Sequence, residues 1–157
     1  MSSVTTYSFP YSRIIRSSAP PLLRFKNAPL LTVGICNKNQ MVKVLSYIDT
    51  GSQWCLYSNE FASALGIKDY RNTAEHFPIG GIGGSNENHA YFHDLDLLFF
   101  KDQRNPKRKN AIEIKTKIGF LEKQFSFGGI LGVYGFLDRF CFVGNIPKNY
   151  FELIEVI

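Results

Sequence analysis

Asp49, Thr50, Gly51 and Ser52 follow a strand-like run, Met41 to Ile48, in a chain of 157 residues. A carboxylate at the end of such a strand emerges from a sheet with its backbone held, placed to take a proton from water or give one to an oxygen. Asp, Thr and Gly also favour turns after strands, so the triplet alone describes a turn as readily as a site.

Two glycine patterns follow it in order. Ile79-Gly80-Gly81-Ile82-Gly83-Gly84 lies between two strand candidates and reads as a hairpin tip. Four glycines weaken a packed strand by roughly 0.5–1 kcal/mol each, but they suit a loop that opens over a ligand and lets bare backbone approach it. Further on, Gly129-Ile130-Leu131-Gly132 sets two large apolar residues between glycines, as where one strand passes close behind another backbone.

Taken together and in this order, the three segments resemble the retropepsin-like aspartic proteases, over roughly residues 29–157. The resemblance implies that Asp49-Thr50-Gly51 carries the catalytic carboxylate and that Ile79 to Gly84 forms a flap over the substrate. It implies that Ile130-Leu131-Gly132 forms the loop packed beneath the site, with Ser52, Gln53 and Trp54 near a subsite. Within that family Thr50 would support the carboxylate across a dimer interface, and the backbone amide of Ile82 would hold substrate through a water. Retroviral members usually carry an acid two places after the triplet and an arginine after the later glycine. Gln53 and Val133 stand there, so both members of that ion pair are missing together and no lone charge is buried. The segment from Gly135 to Phe140 is more similar to cellular and bacterial members.

One carboxylate cannot be both base toward an attacking water and acid toward a carbonyl oxygen and leaving amine, whereas two that share a proton can. With one triplet per chain, the expected partner is a second copy, an isologous homodimer acting on a peptide or protein. No cofactor is expected. A silent peptide-binding module on the same fold and a basic nucleic-acid-binding barrel are the alternatives.

Other chemistry finds less support. His89 and His93, with His76, Asp94 and Asp96, invite a metal reading, but positions 89 and 93 sit about 13 Å apart at the strand rise. A metal site is therefore set aside. No G-x-G-x-x-G or G-K-S/T run is present, and no nucleophilic serine or cysteine site is visible. The net charge of +5 would suit an acidic partner, yet Lys101, Arg104, Lys107, Arg108 and Lys109 concentrate much of it around Pro106. That stretch reads as a solvated hairpin loop without an aromatic stacking motif, which sets nucleic acid aside. Cys36, Cys55 and Cys141 lack zinc or disulfide spacing and are expected as three buried thiols. No signal-peptide core or membrane-length apolar run appears, so a cytoplasmic location and no membrane partner are the defaults.

The elements that must position these residues read as mainly β, a closed or partly closed barrel of the acid-protease type with one or two short helices. Residues 1–28 are expected as an arm, held where Ile14-Ile15 or Leu22-Leu23 dock, and residues 29–157 as the domain. Strands are expected at 30–35, 41–48, 75–79 and 90–100, then a hairpin of 111–118 with 123–127 and a break at Gly128 to Gly132. Asn59 to Leu65 is the best helix candidate, capped by Ser58 or Asn59 and ended by Gly66. One helical turn at 136–140, a strand at 141–143 and a last strand at 150–157 complete the chain.

Overall fold

The computed structural model describes residues 3–81, 88–124 and 127–156. Its strands are β1 (Val4–Pro10), β2 (Ser12–Ile15), β3 (Phe25–Ala28), β4 (Leu30–Asn37), β5 (Gln40–Ile48), β6 (Cys55–Ser58), β7 (His76–Ile79), β8 (Asn88–Phe100), β9 (Ala111–Leu121), β10 (Gly129–Leu131), β11 (Phe140–Asn145) and β12 (Tyr150–Val156). The helix α1 (Glu60–Ala64) follows β6.

Six strands close a barrel in the order β4-β5-β10-β6-β9-β8, with β8 returning to β4 and β7 added outside β8. Closure pairs each barrel strand on both sides and removes the exposed edges of an open sheet. Most neighbours are antiparallel, but β10 runs parallel to β5, and β6 runs parallel to β9. These two pairings knit the first half of the chain to the second.

β4 and β5 form the expected hairpin, Asn37 opposite Gln40, with Lys38 at a positive φ of 56° in the two-residue turn. β8 is long enough to serve two places. Its odd positions face outward at His89 and Tyr91, then enter the core at Leu95, Leu97 and Phe99; its even positions place Ala90 and Phe92 against Leu56, Leu121 and Ile130. Phe99 is the hub of the core, with the rings of Tyr7, Phe9, Phe136 and Phe140 centred 5.2–6.1 Å away. Such edge-on aromatic pairs add to the burial of their own area.

Several details differ from the sequence reading. β1 pairs along its length with β12, in a three-stranded sheet β1-β12-β11 that lays Phe9, Phe151 and Leu153 on the core. The segment before residue 29 is anchored by Phe9, Tyr11 and Ala28, while Ile15, Leu22 and Leu23 are exposed. Alternation in Val4–Pro10 was masked by polar Thr and Ser on its outer face. Among the described residues β9 pairs not with 123–124 or 127 but with β8, from Ala90 opposite Leu121 to Phe100 opposite Ala111, and residues 125–126 of the expected partner fall outside the described residues. The basic stretch is the β8–β9 connection, pinned where Gln103 exchanges hydrogen bonds with the backbone of Thr32 at 2.7 and 3.0 Å.

Gly129 to Leu131 is a strand, not a break, because its partners lie on β5 and β6 far away in sequence. α1 is one residue shorter at each end than expected and has no side-chain cap: Asn59 Nδ2 donates instead to the Leu121 carbonyl at 2.8 Å. Gly66 does end it, at φ +73°. Cys36 and Cys55 are buried, but Cys141 is exposed on β11. A helical turn at Leu137–Arg139 stands where 136–140 was expected.

Candidate active site

Asp49 leaves the end of β5 and is suspended from the opposite strand. Its N–H donates to the Leu131 carbonyl at 3.0 Å, and its own carbonyl accepts from Ser52 N–H at 3.2 Å. The carboxylate Oδ1 accepts from Gly51 N–H at 2.9 Å, which fixes its orientation. A Cβ at Gly51 would lie 3.2 Å from that oxygen, so glycine leaves the approach open. Asp49 is half-buried, while Thr50 and Gly51 are exposed beside it.

A second ladder locks the loop from below. Val133 N–H donates to the Ser52 carbonyl and Tyr134 N–H to the Gln53 carbonyl, both at 2.9 Å. The segments 52–54 and 132–134 therefore run side by side, ending in a parallel bridge between Trp54 and Tyr134. Backbone pairing occupies the place where an ion pair between residues 53 and 133 was missed in the sequence. Gly132 packs directly on the carbonyls of Trp54 and Ser52, and Gly129 lies flush on the Tyr57 ring, so neither has room for a side chain. Tyr57 itself is buried, its hydroxyl 2.9 Å from Ser46 Oγ. Burial also pushes the Cys55 thiol up to about 12, which keeps it neutral and inert.

Two clefts meet at Asp49. One, of about 350 Å³, has Asp49, Gly51, Ser52 and Gln53 on one wall, Trp54, Leu56 and Ile130 at its base, and Ile79, Gly80 and Gly81 on the other wall. Residues from all three sequence segments thus line one space. Leu131 and Gly132 lie beneath it as the support just described, and Ile82, Gly83 and Gly84 fall outside the described residues. Trp54 is held by rings on three sides, with Phe77, Phe92 and Tyr134 centred 5.3–5.6 Å away.

The second cleft, about 700 Å³, lies on the other side of Asp49. Ile14, Arg16 and Lys26 from the β2–β3 hairpin face Leu30, Leu45, Tyr47 and Phe127 across it. Sequence reasoning missed this cleft, since nothing in residues 12–28 points to a site without the pairing that brings the hairpin alongside β5. It also missed Leu56, at the base of the first cleft on β6, and Phe77 and Phe92, which brace Trp54 and whose signal was the alternation of β7 and β8. Among the described residues, Asp49 is the one carboxylate that lines either cleft.

No family model matches the sequence, and no curated protein matches it significantly. Solved structures do. The chain is similar to a retropepsin-like aspartic protease from Rickettsia conorii at 16% identity and a TM-score of 0.53, over 99% of this chain and 95% of that one. It is also similar to the retroviral protease-like domain of Ddi1 from Leishmania major, at 16% identity and a TM-score of 0.47, over 82% of this chain and 94% of that one. The fold is the acid-protease barrel of the retropepsin-like proteases. Among the described residues no helix is long and apolar enough to cross a membrane.

Proposed function

We propose that this chain is an aspartic endopeptidase that works as a homodimer, with Asp49 of each copy supplying one carboxylate of the catalytic pair. The observation that carries the proposal is Asp49 itself: one oriented carboxylate at the junction of two clefts, among the described residues the lone acid in either lining. Two such groups brought together by a twofold axis share a proton, because both cannot ionise at close range.

The ionised member takes a proton from water as the water oxygen attacks the scissile carbonyl carbon. The protonated member gives its proton to the carbonyl oxygen, forming a neutral tetrahedral diol. The C–N bond then breaks as a proton passes to the amide nitrogen, and a carboxylic acid and an amine leave. Gly51 N–H holds Oδ1, so the pair needs little reorganisation during the reaction. The β7–β8 hairpin, whose Ile79, Gly80 and Gly81 line one wall of the first cleft, acts as the cover that admits a peptide and excludes water. Extended peptides with apolar side chains suit the base formed by Trp54, Leu56 and Ile130.

A mass-spectrometric screen of a broad peptide library, run with the parent chain and with Asp49→Asn, tests the reading. Cleavage by the parent alone is expected. No cleavage by the parent at any pH while it forms a dimer would favour the silent peptide-binding module, and equal cleavage by both would remove Asp49 from the mechanism.

A further inference from the structure

On the outer face of the β7–β8 hairpin, His76 Nδ1 and His89 Nε2 face each other 2.9 Å apart. The register explains the pairing: His76 is opposite Tyr91 and Pro78 opposite His89, so the two histidines are diagonal neighbours on one face of adjacent strands. Tyr91 completes a shelf beneath them, stacked on His76 with ring centroids 5.5 Å apart and lying 5.1 Å from His89. Tyr70 packs edge-on against Tyr91 at 5.5 Å. His76 is exposed and His89 half-buried, so the pair is open to solvent on one side and braced on the other.

We infer that His76 and His89 form a binding site for a divalent transition-metal ion of the zinc, nickel or copper type. Two nitrogens bound at about 2.0–2.1 Å to one ion lie about 2.9 Å apart at a right angle and about 3.3 Å apart at the tetrahedral angle. The observed gap is already at that spacing, so binding needs only small ring movements. Neutral imidazole prefers these borderline ions to Mg²⁺ or Ca²⁺, which take oxygen ligands.

In the free protein one ring donates N–H to the other across the gap. When the ion enters, that ring moves its proton through water to its other nitrogen, so that both facing nitrogens offer lone pairs. Among the described residues no third His, Cys, Asp or Glu joins the pair. His93 is not a member; its Nε2 sits 2.7 Å from the Tyr70 carbonyl. The ion would tie β7 to β8 on the face opposite Phe77, whose ring stacks on Phe92 at 4.9 Å toward Trp54. This inference stands independently of peptidase activity.

The test uses the full chain stripped with chelator and titrated calorimetrically with Zn²⁺ and with Ni²⁺. One ion per chain is expected, with His76→Gln and His89→Gln each weakening binding at least tenfold and His93→Gln leaving it within about twofold. Copper(II) electron paramagnetic resonance gives a second readout: coupling to two ring nitrogens in the parent and to one in each single variant. No binding tighter than about 1 mM, or binding and coupling unchanged in His76→Gln and His89→Gln, would overturn the site and leave a plain imidazole–imidazole hydrogen bond.

Discussion

An amide in place of the Asp49 carboxylate keeps the Oδ1 acceptor for Gly51 N–H and nearly the same volume, but it cannot ionise. Asp49→Asn should therefore reduce peptide turnover by at least about a hundredfold while shifting unfolding free energy by no more than roughly 0.5–1 kcal/mol. Turnover assays beside urea melts separate the two effects. The thiols give a second expectation. Cys55 is buried with its proton held tightly, and burial raises Cys36 as well, whereas Cys141 is exposed. A thiol reagent at pH 8 should label one cysteine rapidly in the native protein, and Cys141→Ser should abolish that fast phase. At this scale the sequence was most legible where geometry depends on neighbours in the chain: the turn at 49–51 needs only its own residues to orient Oδ1. The contact between His76 and His89 was hidden for the opposite reason: spacing along β8 relates His89 only to His93, while His76 lies on another strand and is brought alongside by register.

Among elements, glycines that look alike in sequence differ in what surrounds them. A Cβ at Gly132 would strike the Trp54 and Ser52 carbonyls, which are backbone and cannot swing away. Gly81 has φ +85° and nothing near a would-be Cβ. Gly132→Ala should thus destabilise the fold by about 1–3 kcal/mol through forced backbone movement, and Gly81→Ala by about 1 kcal/mol through its angle alone. Comparative denaturant melts check the order, and the reverse ranking would contradict the packing described. The stiffer hairpin of Gly81→Ala should also slow turnover without changing assembly, as stopped-flow kinetics with sedimentation would show. The hairpin β4–β5 and the helix end at Gly66 were readable because turn residues signal locally. β10 was not, since a three-residue strand beginning in glycine owes its existence to Tyr47, Ile48, Leu56 and Tyr57 on distant strands. β1 was hidden in a polar, proline-bounded segment whose partner β12 lies at the other end of the sequence.

For the whole molecule, a closed or partly closed barrel followed from short strands with Gly and Asn turns, but the strand order that closes it did not. The parallel contacts β5–β10 and β6–β9 have no signature in either segment alone. If catalysis needs two Asp49 carboxylates, activity must depend on association. Sedimentation at micromolar concentration should show a dimer, and specific activity should fall on dilution through its dissociation constant. A chain that stays monomeric with a peptide ligand present would end the peptidase reading, whatever the fate of Asp49→Asn.

The hydrogen bond from Asp49 N–H to the Leu131 carbonyl also sets a timetable. A nascent chain can form the β4–β5 hairpin as soon as that hairpin leaves the ribosome, yet the Asp49 loop has no floor until β10 and the 132–134 ladder have been synthesised. Contacts between such distant positions close slowly, after the local hairpins are in place. The Asp49 loop is therefore among the last parts of the molecule to acquire its shape, and on the peptidase reading a growing chain would stay harmless to its neighbours on the polysome.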